Sequence, residues 1–104
     1  MAREYCILDL YDAQGRWLDS LVHVGTRDVV ALDLRRLAGR ATALPCRAIV
    51  ARHAHPSGNA RPSAADIATT RLLASFAAQL GLVLHDHVIE ARAARFSFRA
   101  AGLL

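Results

Sequence analysis

The sequence predicts an α/β fold: a mixed β-sheet of about five strands flanked by two main helices. Three observations predict it. Two short apolar runs rich in β-type residues stand on either side of a Gly-containing turn near the start. Two longer segments carry apolar residues at helical spacing. Strand-like runs come directly before and after the second of these segments. At 104 residues, 54% of them hydrophobic, the chain reads as one domain, residues 1–104, with enough apolar material for a packed core. That composition excludes a disordered chain.

The first run, Tyr5 to Tyr11, reads as a strand, and Asp12-Ala13-Gln14-Gly15 reads as a turn. Trp17 to Val24 alternates, with Leu18, Ser20, Val22 and Val24 on one face, and forms the second arm of a hairpin. Gly25-Thr26 ends it. Val29 to Thr42 is expected to be helical, capped by Asp28, with Val30, Leu34 and Leu37 as its apolar stripe. Leu44-Pro45 closes that segment. Cys46 to Ala51 is expected to be a strand buried on both faces, with His53 and His55 emerging at or just after its end. Pro62-Ser63 opens the second helix, and Ser63 is a strong N-cap. Ile67, Leu73, Phe76 and Leu80 recur at helical spacing, and Gly81 is placed to end the helix in the left-handed conformation. Leu82 to Glu90 and Phe96 to Phe98 complete the set of strands.

Composition narrows the function classes. No stretch approaches the roughly 20 apolar residues of a membrane helix, and Leu72 to Leu84 is broken by Ser75, Gln79 and Gly81. No membrane partner is therefore expected. Met1-Ala2-Arg3-Glu4 has no signal-peptide pattern. Cys6 and Cys46 both lie in apolar runs and read as reduced core thiols, which fits a cytoplasmic protein. The net charge is +4, and all thirteen basic residues are Arg. With abundant Ala, this reads as the coding bias of a GC-rich genome. The charge permits weak non-specific binding to nucleic acid without demanding it.

The most informative stretch is His53-Ala54-His55-Pro56-Ser57-Gly58, followed by Pro62-Ser63-Ala64-Ala65-Asp66. Residues i and i+2 of an extended chain point to the same side, so His53 and His55 can share a metal. Asp66 sits in the first helical turn, where the helix dipole favours a carboxylate and where it faces back toward the loop. Two imidazoles and one carboxylate are the protein ligands of an open, hydrolytic zinc site, with the fourth position kept for water. The cofactor expected from the spacing is Zn²⁺.

These residues resemble the JAMM metalloprotease motif of JAB/MPN domains. The ordered blocks His55-Pro56-Ser57-Gly58, Pro62 to Thr70, Asp86-His87-Val88-Ile89 and Phe96-Ser97-Phe98-Arg99 resemble the RadC branch over nearly the whole chain. The resemblance implies a JAB/MPN-like fold, broadly similar to that of cytidine deaminases, and a protein or peptide substrate. It also implies a catalytic glutamate at the start of the first strand, which here is Glu4. Glu4 would not bind metal; it would take a proton from the attacking water and pass it to the leaving amine. Ser63 would donate a hydrogen bond to the oxyanion while still capping the helix. Three departures stand out. Ala54 occupies the middle of the His-x-His pair, where RadC proteins usually carry Asn, at a position that alternates away from the metal. Glu4 lies close to the start of the chain, where ends fray. The N-terminal helical region of RadC proteins, with its DNA-associated helix-hairpin-helix part, is not contained in these 104 residues.

Other constellations read more plainly. His85 and His87 share a strand face, but the expectation is an exposed histidine plus hydrogen bonds from Asp86 and His87 within the fold, in support of the zinc site. His23 reads as a partly exposed strand residue. Pro45-Cys46 resembles half of a deaminase zinc motif, but Ile49 stands where the second Cys would be. The leading expectation is a zinc metalloprotease or isopeptidase. Two alternatives accompany it: a catalytically silent zinc-binding interaction module, and a DNA-repair accessory protein. Glu4 held away from the metal would favour the first, and a continuous Arg-rich face the second. Substrate identity and oligomeric state are left open.

Overall fold

The computed structural model describes residues 4–25 and 32–104. The elements run β1 (Glu4–Tyr11), β2 (Trp17–Gly25), α1 (Leu34–Ala43), β3 (Ala48–Ala54), α2 (Ala64–Gln79), β4 (Val83–Glu90) and β5 (Arg95–Ser97). The five strands form one sheet in the order β2-β1-β3-β4-β5. Only β3 and β4 are parallel; β1 pairs antiparallel with β2 and β3, and β4 with β5. The parallel pair needs a crossover, and α2 supplies it. The sheet is therefore mixed and the fold α/β, as the sequence predicts. No helix among the described residues is long and apolar enough to cross a membrane.

Alternation sorts the strands onto two faces. Cys6, Leu8 and Leu10 of β1, Leu21 of β2, Ile49 and Ala51 of β3 and Leu84 of β4 all turn to one face, as their pairings require. They form a single core cluster with Leu37 and Ala41 of α1 and Leu73 and Ala77 of α2. Leu8, Leu10, Leu37 and Ile49 are fully excluded from solvent, and each such side chain contributes roughly 1.5–3 kcal/mol by burial. The opposite face is more open: Tyr5, Val22 and Val24 are exposed. There Asp9 accepts from Arg52 and Ser20.

Several expectations are corrected. α1 begins at Leu34, not Val29. Asp33 is its cap and accepts from the Arg36 amide at 2.9 Å, which fixes the start there; the expected cap Asp28 and the residues Val29 and Val30 lie outside the described residues. β3 runs Ala48–Ala54, later than expected, and carries His53 within it. It is buried on one face only, through Ile49, Ala51 and His53. In β2 the buried side chains are Leu21 and His23, while Val22 and Val24 face outward. His23 is therefore not partly exposed: parity places it on the helix-covered face beside Cys6. In α2 the buried stripe is Asp66, Thr70, Leu73 and Ala77, with Ile67, Phe76 and Leu80 packed at its margins. The last strand ends at Ser97. The Phe98 amide then donates to the His87 carbonyl, and Phe98 joins a small second cluster with Ala60 and Ile89.

Candidate metal centre

The sheet brings Glu4 and His53 together from separate strands. His53 stands opposite Cys6 in the β1–β3 pairing, on the same face as Glu4. Glu4 belongs to β1 and is only 8% exposed. Its Oε2 lies 3.2 Å from His53 Nε2. His55 follows β3 directly, and its amide donates to the Glu90 carbonyl, which extends the strand by one step before the chain turns. The rings of His53 and His55 meet edge to face at 5.0 Å.

The loop after Pro56 is clamped from within. His55 Nδ1 donates to the Asn59 carbonyl at 2.9 Å, and Asn59 Oδ1 accepts from the Arg61 amide at 2.9 Å. Ser63 then starts α2 with a reciprocal capping box. Its Oγ accepts from the Asp66 amide at 3.0 Å, and its own amide donates to Asp66 Oδ2 at 2.8 Å. Two otherwise orphaned donors are satisfied this way. The box also aims Asp66 back at the strand: Oδ1 lies 3.1 Å from His53 Nδ1, and Oδ2 lies 3.1 Å from His55 Nε2.

Glu4, His53 and His55 each offer one ligand atom, all within 4.8 Å of one another, and this group could hold a metal ion. Asp66 touches both histidines. Proton counting supports the fit. A neutral imidazole has a single N–H. Both nitrogens of His53 face carboxylate oxygens. His55 spends Nδ1–H on Asn59, so its Nε2 meets Asp66 with a lone pair. With both rings neutral, acceptor faces acceptor across about 3 Å at some of these contacts, so either a metal ion or an added ring proton fills the gap. The carboxylates themselves favour positive charge at this place. Burial alone would raise the Asp66 pKa, but hydrogen bonds from His53 and the Ser63 amide hold it well below the usual carboxylate range. Burial also opposes charge on His53, yet Asp66 and Glu4 outweigh it and raise its pKa.

An open cleft of about 520 Å³ lies over the cluster, lined by Glu4, His55, Ser57, Asn59, Ser63 and Asp66 among others. The five residues named from the sequence thus occupy one place. Ala54 points to the opposite face from His53, as alternation requires. Cys6 lies beside the cluster but is inert: burial, then the Asp66 charge, pushes its thiol up to about 12. Both cysteines are free and buried.

Two supporting residues escape sequence reasoning. Asn59 is not among the residues the sequence singles out, yet its carbonyl orients His55. Thr70 is an ordinary helical residue by its pattern, yet its Oγ1 donates to the Asp66 carbonyl at 2.8 Å and lies 2.6 Å from His87 Nδ1. His87 is 1% exposed, and burial, then the neighbouring His53, pushes it down to about 4. His85 is exposed, and Asp86 accepts from Ser97 Oγ and the Arg99 amide.

Comparison with known proteins identifies the family. A UPF0758 protein of Rhodobacter capsulatus is 46% identical over 80 residues, covering 77% of this chain and 37% of that protein. A UPF0758 protein of Ruegeria pomeroyi is 44% identical over 80 residues, covering 77% and 36%. The chain thus matches little more than a third of the length of these curated relatives. The family model for the RadC-like JAB domain matches residues 1–103, from the strand that carries Glu4 to the turn beyond Phe98. With that match spanning the sheet, the capped helix and the cleft between them, the chain belongs to the RadC-like JAB domain family.

Proposed function

We propose that the cleft is the centre of a zinc-dependent metallohydrolase of the JAMM type, which cleaves a peptide or isopeptide bond. His53, His55 and Asp66 would hold the metal; Glu4 and Ser63 would act on the substrate. The observation that carries the reading is the convergence of two imidazoles and two carboxylates beside one open cleft. Nitrogen and carboxylate donors in this number suit zinc. Bound zinc supplies a Lewis acid that polarises a carbonyl and acidifies a water.

The chain's own residues divide the remaining work. Asp66 suits the role of ligand. It is held ionised, and both its oxygens are committed to the histidines and the Ser63 amide. Glu4 suits the role of base. It lines the cleft with Oε2 3.2 Å from His53 Nε2; its position would also allow it to be a ligand, and its assignment as base follows the family resemblance. It would accept a proton from the attacking water and return it to the leaving amine. Ser63 spends its oxygen on the cap as an acceptor, so its hydroxyl proton remains available to a developing oxyanion in the cleft. The silent-module reading expects Glu4 to lie away from the cluster, and its burial against His53 counts against that. The partner we propose is a protein or peptide substrate.

The test pairs zinc content with turnover on a panel of peptide and isopeptide substrates, for the parent and for Glu4→Gln. The variant keeps its zinc and loses roughly 10²-fold or more in turnover, because an amide keeps the shape but cannot take the proton. Equal turnover would remove Glu4 from the mechanism. Zinc in both with turnover in neither would favour the silent module.

A further inference from the structure

Two members of one buried column, Phe98 and His87, are unused by that chemistry. Phe98, His87 and His53 stack in order: Phe98 on His87 at 4.6 Å and 4°, His87 on His53 at 5.9 Å and 20°. Thr70 has one hydroxyl proton and gives it to the Asp66 carbonyl at 2.8 Å. Its lone pairs then receive His87 Nδ1–H at 2.6 Å. That assignment leaves His87 Nε2 as a bare lone pair, and it is buried with no partner among the described residues. A phenyl ring at 87 would stack on Phe98 equally well without an orphaned nitrogen, which costs roughly 1–3 kcal/mol. The imidazole therefore needs a reason, and the bond to Thr70 is the only one its nitrogens make among the described residues.

We infer that His87 is a positioning residue of the metal centre: through Thr70 it fixes the turn of α2 that carries Asp66, and through its ring face it sets the plane of His53. The inference rests on the metal reading above. It joins two ligands from different elements, a strand and a helix, through one buried ring. Outer partners of this kind change metal affinity by about 10–100-fold when lost.

The test measures Zn²⁺ affinity by chelator competition, the Co²⁺ d–d spectrum, and the metal-free unfolding midpoint on the full chain. Thr70→Val and His87→Phe should each weaken Zn²⁺ binding by about tenfold and alter the Co²⁺ band. Thr70→Ser should restore both. The double variant should be no weaker than either single one, because both break the same bond. Leu37→Ala, in the core around α1, should lower the unfolding midpoint and leave zinc affinity unchanged. Thr70→Val folds even if His87→Phe does not, since it trades a hydroxyl for a methyl. Parental affinity in Thr70→Val would overturn the inference, as would an equal loss in Leu37→Ala. A parent that binds no Zn²⁺ would instead sink the metal reading itself.

Discussion

We propose that Ser63 performs two separable tasks with one hydroxyl. Its oxygen accepts from the Asp66 amide, and the residue lines the cleft. Ser63→Ala should cost about 1 kcal/mol of stability through the lost cap and should also depress turnover. Thermal unfolding and steady-state rates on the same preparation check both. A variant that loses stability but keeps full turnover would leave Ser63 with the cap alone. At this scale the sequence is informative where chemistry depends on spacing. His53 and His55 share a strand side, Asp66 takes the third helical position, and Ser63 begins the helix. It is silent where chemistry depends on tertiary neighbours. Nothing in the text around Asn59 says that its carbonyl holds His55, and nothing around Thr70 says that it bridges Asp66 and His87.

Elements are legible where a local cap marks them. α2 begins at its Ser63–Asp66 box and ends in a Schellman turn. There Gly81 takes φ 74, with Leu82 N–H on the Ala77 carbonyl and Gly81 N–H on the Ala78 carbonyl. Gly81→Ala should therefore destabilise by roughly 1–2 kcal/mol, the cost of a Cβ in the left-handed region; denaturant unfolding measures it, and no loss would contradict the motif. α1 is less legible: the sequence pattern suggests Asp28 as its cap, whereas Asp33 holds that place and accepts from the Arg36 amide. The end of the chain is held by Asp86, which accepts from Ser97, Arg99 and the His87 amide. Burial works to raise its pKa, but those hydrogen bonds lower it. A depressed folded pKa gives stability that is full above the unfolded value, about 4, and is lost as pH falls through the folded one. Parent and Asp86→Asn should thus differ most in stability above about pH 4 and converge in stronger acid. A constant gap down to the lowest pH would show that the carboxylate charge plays no part.

For the whole molecule, the sheet acts as a platform with one face buried under two helices and the candidate metal cluster at one end of that face. The mixed topology was readable in outline, since apolar runs and helical periods alternate along the chain. Which strand face is buried was not readable in β2, where Val22 and Val24 look like core residues and Leu21 and His23 are the core. Pairing register decides that, and register is set by partners distant in sequence. A metal joining β3 to α2 would cross-link this platform, so zinc should stabilise the entire fold by mass action. The unfolding midpoint should rise with added Zn²⁺ and fall with chelator; an unchanged midpoint would place the metal outside the folded centre. The most direct test of the account is zinc stoichiometry by elemental mass spectrometry on the purified protein and on variants His53→Ala, His55→Ala and Asp66→Asn. The account predicts about one zinc per chain in the parent, held by three protein ligands, and little or none in each variant. A parent without zinc in zinc-supplemented buffer, or variants that keep a full complement, would contradict it.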